Sequence, residues 1–246
     1  MSNRTVGRVA QPMLPGRRWM GPVAVLALAV AGVAIIAEGV LERGDLAAYD
    51  PGIGRWFVAE RTPLLTPMAA GLAVLGGPAL WVLIVTAVAW LWLRRFRGDA
   101  VFVAATTAVA GIVTSGMKLL FARPRPTADV IGAIARSYAF PSGHTVNTTV
   151  FVGLLGLLAW RARPAPASRV VIAVVWAASS LTMAASRVYL ADHWFTDVVG
   201  GLVTAVGLLA GAVLVRRVVA LRHAGSAAAE YARTTAALPG HDDQRS

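Results

Sequence analysis

Six apolar stretches near bilayer length constrain this chain more than anything else in it: approximately Met20 to Leu41, Pro67 to Leu93, Ala100 to Phe121, Thr145 to Trp160, Val170 to Ser186 and Trp194 to Val215. A hydrocarbon core about 30 Å thick takes roughly 20 mostly apolar residues as helix. In lipid, every backbone N–H and C=O must find its partner within the protein, so such stretches fold as helices. The expected fold class is therefore all-α, a polytopic membrane protein with six transmembrane helices. The fourth stretch is short for a span. It is expected to reach backwards through Pro141-Ser142-Gly143-His144 or to sit in a thinned bilayer. Composition agrees, since 57% of the 246 residues are hydrophobic and 14% charged, against about 25% charged in soluble domains.

The formal net charge of +11 does not point to nucleic acid. The arginines fall in short clusters between apolar runs, the pattern that orients membrane helices. They gather at Arg4, Arg8, Arg17 and Arg18 before the first stretch, at Arg94, Arg95 and Arg97 after the second, at Arg161, Arg163 and Arg169 after the fourth, and at Arg216, Arg217 and Arg222 after the sixth. Both termini are thereby expected in the cytoplasm. The first stretch reads as an uncleaved helix rather than a signal peptide, because its run is long and no small-x-small site follows it. The domain reading is residues 1–19 as a cytoplasmic segment, 20–217 as the six-helix membrane domain and 218–246 as a flexible cytoplasmic tail. Between the first two stretches, Glu38 to Thr66 reads as an interfacial loop with a short amphipathic helix. The chain has no cysteine, which removes disulfides, thiol catalysis and Cys-bound metals.

Three segments gather cations and histidines at the ends of apolar stretches: Lys118 to Pro126 (KLLFARPRP), Pro141 to His144 (PSGH) and Ser186 to Asp197 (SRVYLADHWFTD). Counting crossings brings all three to the membrane face opposite the termini. Lys118, Arg125 and Arg187 there supply fixed positive charge, with guanidinium forks that suit phosphate oxygens. Ser142 and the Gly143 amide lie in a turn leading to a helix N-terminus, a natural anion site. His193 and Asp197 are four apart, so on a helix the carboxylate can hold one ring nitrogen while the other stays bare. Only one of the 23 basic residues is a lysine, and it is Lys118, which opens the first segment.

Read as Lys-x6-Arg-Pro, Pro-Ser-Gly-His and Ser-Arg-x5-His-x3-Asp, these segments resemble the type 2 phosphatidic acid phosphatase superfamily, which also includes the vanadium haloperoxidases. The resemblance covers helices three to six, and it implies a membrane phosphatase acting on a lipid phosphate. It implies that His193 is the nucleophile, passing through a phosphohistidine, that Asp197 orients it, and that His144 protonates the leaving oxygen and later activates water. Lys118, Arg125, Ser142, Gly143 and Arg187 would bind the phosphate. The scheme requires no cofactor and no metal.

Taken singly, a His at a helix start is a cap and an Arg at a membrane edge is a snorkelling anchor. It is the order and spacing of the whole set that carry the chemistry. Asp192 reads as a surface carboxylate, Arg123 as an auxiliary contact, Arg136 as an outer-loop cation, and His223 and His241 as bystanders in the tail. Gly207-x-x-x-Gly211 reads as packing within the bundle. The expected partners are the lipid phosphate substrate and membrane lipids, with the site facing the extracytoplasmic side of the cell membrane. An undecaprenyl or similar polyprenyl pyrophosphate is the first candidate. Phosphatidylglycerol phosphate, phosphatidic acid, diacylglycerol pyrophosphate and a decaprenylphosphoryl pentose phosphate follow. A catalytically silent lipid-binding protein, a small transporter and a haloperoxidase are the rival classes. Oligomeric state is not legible in the sequence.

Overall fold

A computed structural model of the protein describes residues 15–42, 44–127, 129–131, 137–162 and 165–236. Arg4, Arg8, Arg136, Arg163 and His241 lie outside the described residues. Among those described, the elements are α1 (Pro15–Glu42), a 3-10 turn (Asp45–Tyr49), α2 (Asp50–Ala59), α3 (Leu65–Gly76), α4 (Pro78–Leu93), α5 (Arg97–Phe121), α6 (Gly143–Ala162), α7 (Pro166–Tyr189) and α8 (Phe195–Ala236). Five single helices, α1, α5, α6, α7 and α8, are long and apolar enough to span a bilayer, and α3 with α4, bent by 43° at their break, make the expected sixth only if the pair counts as one span. The fold is all-α and polytopic.

Proline and glycine set the boundaries. The second apolar stretch was expected as one helix, and it breaks at Gly77 because Pro78 disfavours helical geometry in the residue before it and offers no N–H to continue the ladder. Close packing also demands glycine here. A Cβ on Gly76 would lie 2.5 Å from Met183 Cε, and one on Gly77 would lie 2.8 Å from Ala73 O and 3.1 Å from His144 Nε2. α5 ends on Ala122 in the left-handed region (φ 42°), where Pro124 and Pro126 forbid continuation. The fourth stretch extends at both ends, back to Gly143 and on to Ala162, giving 20 residues. The amphipathic helix expected between the first two spans is α2.

α6 is the central helix, packed against α5, α7 and α8, while α1 lies along α8 and α3 along α7. Val146, Val150 and Leu154 of α6 are fully buried with Val103 of α5 and Ala205 of α8. Large apolar side chains such as Val30, Val85, Ile112 and Val174 face outward, as expected of surfaces that meet lipid rather than water. Gly207 packs within the bundle, where a Cβ would stand 3.0 Å from Ala29 Cβ; Gly211 has open space beside it.

Contacts fix the two ends of the bundle. Asp99 of α5 pairs with Arg161 of α6 at 3.3 Å and with Arg216 of α8 at the end carrying the start of α1 and the later part of α8. The other end gathers the C-termini of α5 and α7, the N-termini of α6 and α8, and α2. Residues 218–236 are not an irregular tail: α8 runs unbroken through position 217 to Ala236, and its side chains from Val218 to Ser226 are exposed.

Candidate active site

The three sequence motifs meet at the end of the bundle that carries α2. The start of α6 is seated on α8 by two contacts. Ser142 N–H donates to Asp197 O at 3.0 Å, and Phe140 lies so close to Gly200 that a Cβ there would fall 2.4 Å from its ring. The Ser142 hydroxyl accepts from Thr145 Oγ1 at 3.0 Å. Gly143 lies beside Lys118, whose Cε is 3.9 Å from the position of a Cβ on that glycine. Lys118 Nζ donates to the Tyr138 carbonyl.

His193 stands between α7 and α8, 2% exposed. Its Nδ1 faces Asp197 Oδ2 at 3.4 Å, and its Nε2 is 3.2 Å from Arg125 Nη1. A guanidinium only donates, so Nε2 accepts and the ring proton sits on Nδ1, toward the carboxylate. Burial pushes the His193 imidazole below the ordinary histidine range, against the opposing pull of Asp197. Asp197 is fully buried. Its Oδ2 also accepts from Trp194 N–H at 2.9 Å, and its Oδ1 from Arg123 Nη1 at 2.6 Å.

The network continues to residues outside the predicted set. Arg123 Nη2 donates to Asp50 Oδ2 at 2.6 Å, and Asp50 also accepts from the Thr196 amide at 2.9 Å and the Thr196 hydroxyl at 2.6 Å. Two carboxylates thus cap the N-terminus of α8, where the helix dipole favours negative charge. Asp50 is 2% exposed and comes from the first turn of α2, far from the motifs in sequence. Its only local signal was an acid before a proline, the ordinary mark of a helix start.

Arg187 and His144 are held by α3. Arg187, 2% exposed, donates to Ala69 O at 3.2 Å and to Ser186 Oγ at 3.2 Å; His144 Nε2 pairs with Ala73 O at 3.1 Å. Backbone acceptors one turn apart on α3 therefore fix a cation and the second imidazole, which no side-chain pattern can announce. Arg125 donates to Ser137 O at 2.7 Å, Ser137 Oγ at 3.1 Å, Asp192 O at 2.7 Å and Asp192 Oδ1 at 2.7 Å. Two sequence readings change here. Asp192 is not a free surface carboxylate but an ion-pair partner of Arg125, 3.7 Å from Arg187. Arg123, its side chain 12% exposed, is the link between Asp197 and α2. His223 stays away from the site, at the opposite end. No three His, Asp or Glu side chains among the described residues gather as a metal-ligand set.

Fixed cations around a buried, carboxylate-backed imidazole, whose Nε2 accepts from Arg125, make an arrangement for phosphoryl transfer, and residues 99–221 match the PAP2 superfamily. The chain belongs to the PAP2 superfamily. It is 32% identical over 161 residues, 62% of this chain and 77% of the relative, to YbjG of Escherichia coli (strain K12), a protein assigned as an undecaprenyl-diphosphatase. It is 25% identical over 178 residues, 71% of this chain and 86% of the relative, to phosphatidylglycerophosphatase B of Bacillus subtilis (strain 168). In fold it is similar to the crystal structure of a transmembrane PAP2-type phosphatidylglycerolphosphate phosphatase from B. subtilis, with TM-score 0.70 and 22% identity over 80% of this chain and 96% of that one. A weaker likeness, TM-score 0.53 and 17% identity over 68% of this chain and 94% of the other, joins it to LpxE of Aquifex aeolicus. The protein is a multi-pass membrane phosphatase of the PAP2 lipid phosphatase type.

Proposed function

We propose that this PAP2 phosphatase removes phosphate from a polyprenyl pyrophosphate at the extracytoplasmic face of the cell membrane, through a phosphohistidine on His193. The observation that carries the chemistry is the two-sided setting of His193, with Nδ1 on Asp197 and Nε2 among the cations. The Nε2 lone pair attacks phosphorus and the bond from phosphorus to the leaving oxygen breaks. That oxygen takes a proton from His144. In the second step His144 accepts a proton from water, the water oxygen attacks phosphorus, the phosphorus–nitrogen bond breaks, and inorganic phosphate leaves. Lys118, Arg125 and Arg187, with Ser142 and the Gly143 amide, neutralise the equatorial oxygens, which is most of what such a transition state asks of a protein.

Two observations support the substrate. The arginine clusters favour a cytoplasmic place for the termini and for the end of the bundle opposite the site, which supports an extracytoplasmic site. A largely apolar groove of about 920 Å³ between α1, α5 and α8 runs from Met117, one residue before Lys118 in the chain, to His223 at the far end of the bundle, and offers a long tail a place to lie. The 32% identity to YbjG, a protein assigned by name to undecaprenyl-diphosphatase activity, ranks the polyprenyl reading first. The B. subtilis relatives keep phosphatidylglycerol phosphate as the second.

In a detergent panel of undecaprenyl pyrophosphate, phosphatidylglycerol phosphate, phosphatidic acid, diacylglycerol pyrophosphate and a soluble sugar phosphate, the polyprenyl pyrophosphate should give the highest kcat/KM. Preference for a glycerophospholipid would move the assignment, and preference for the sugar phosphate would end the lipid reading. Orientation has its own check. In intact cells, cysteine at Thr127 should react with an impermeant thiol reagent while cysteine at Ser168 stays protected.

A further inference from the structure

Asp192 immediately precedes the proposed nucleophile, and its carboxylate stands among the groups that would receive a phosphoryl group. Oδ1 is 2.7 Å from Arg125 Nη1, while Oδ2 is 3.7 Å from Arg187 Nη1 and 4.0 Å from His193 Nε2. A phosphorus poised for attack must come within about 3 to 3.5 Å of Nε2 with its oxygens on these same guanidiniums. Carboxylate and phosphate therefore compete for one place.

The carboxylate is not what holds the cations there. Without it Arg125 keeps Ser137 O, Ser137 Oγ and the Asp192 carbonyl, and Arg187 keeps Ala69 O and Ser186 Oγ. Asp192 is also the most accessible charge of the group, its side chain 17% exposed against 10% for Arg125 and 2% for Arg187, so it is the one placed to swing aside.

We propose that Asp192 is an internal counter-anion that competes with phosphate for the Arg125 and Arg187 pair and keeps the hold on inorganic phosphate weak. The inference rests on the reading of that pair as the phosphate site. When the site is empty, the carboxylate offsets two guanidiniums that would otherwise be near each other without a neighbouring counter-charge. A lipid phosphate displaces it because the tail contributes binding that free phosphate lacks. After hydrolysis the phosphate has lost that tail, and the returning carboxylate expels it.

The test is calorimetric titration of the full-length protein in detergent with inorganic phosphate at fixed ionic strength, for wild type, Asp192→Asn and Arg125→Ala. Asp192→Asn should bind phosphate about tenfold more tightly or better, tenfold being one step on the affinity scale. Its inhibition constant for phosphate and its KM for lipid substrate should fall in parallel. If Asp192→Asn does not fold, Asp192→Ser serves the same comparison. Unchanged or weaker phosphate binding in a folded variant overturns the proposal and makes Asp192 a positioning residue for Arg125. Wild-type phosphate affinity in Arg125→Ala instead overturns the phosphate-site reading itself.

Discussion

Arg123 donates to Asp197 at 2.6 Å with one terminal nitrogen and to Asp50 at 2.6 Å with the other, so the carboxylate behind His193 is tied through one guanidinium to Asp50 of α2, 147 positions earlier in the chain. Because Asp197 is fully buried, its orientation depends on these fixed partners, and α2 becomes part of the site's support. Ile53 and Phe57 of α2 pack on Val188 and Val198 beside it, which keeps Asp50 in register.

Asp50→Asn should therefore lower kcat by about tenfold to a hundredfold while leaving KM within about twofold, since the effect reaches phosphate only through His193. Arg123→Lys cannot bridge two carboxylates with a planar fork and should cost a similar amount. The double variant should be little worse than either single one. Steady-state kinetics on all four proteins check this, and fully additive losses would mean that Asp50 does not act through Arg123.

Lys118 is a compact ammonium packed beside Gly143 and pinned to the Tyr138 carbonyl. Lys118→Arg keeps the charge but replaces a compact ammonium with a wider, planar group that cannot reproduce the same contact with the Tyr138 carbonyl beside Gly143. It should lower kcat/KM by about tenfold or more, whereas Arg222→Lys on the exposed part of α8 should be neutral. Equal small effects would reduce Lys118 to a diffuse source of positive field.

Activity should persist on the acid side further than an ordinary histidine allows. The nucleophile must be unprotonated, and burial holds the His193 imidazole below its usual value, about 6.5 in peptides. The acid limb of kcat/KM should thus fall below that pH. Asp197 and Asp192 pull His193 upward while Arg125 pushes it down. Asp197→Asn should accordingly move the limb further toward acid even as the rate drops, and a pH–rate profile of both proteins reads it directly. A limb above the ordinary histidine value would mean that the Asp197 pair, not burial, governs the imidazole.

The all-α membrane fold was legible because hydropathy over a span is a sum of many residues and tolerates local error. The break at Gly77 was not, since Gly-Pro within an apolar run permits either a kink or a clean interruption, and packing against Met183 and His144 decides between them. The meeting of Lys118, Arg125, Ser142, His144, Arg187, His193 and Asp197 at one end of the bundle followed from helix parity and short motifs. Asp50 was hidden because its burial is created by α2 folding back over α8, and Asp192 was misread because its partner Arg125 lies 67 positions away. The carbonyls of Ala69 and Ala73 that hold Arg187 and His144 have no sequence signature at all.

The most direct measurement of the central claim is rapid acid-free quenching of the wild-type protein during turnover in excess EDTA, followed by mapping of the bound phosphate. Acid-labile, base-stable phosphate on the peptide carrying His193, absent from His193→Ala along with several orders of magnitude of activity, is the predicted result. Phosphate on another residue, loss of turnover in EDTA, or near-normal rates in His193→Ala would contradict it.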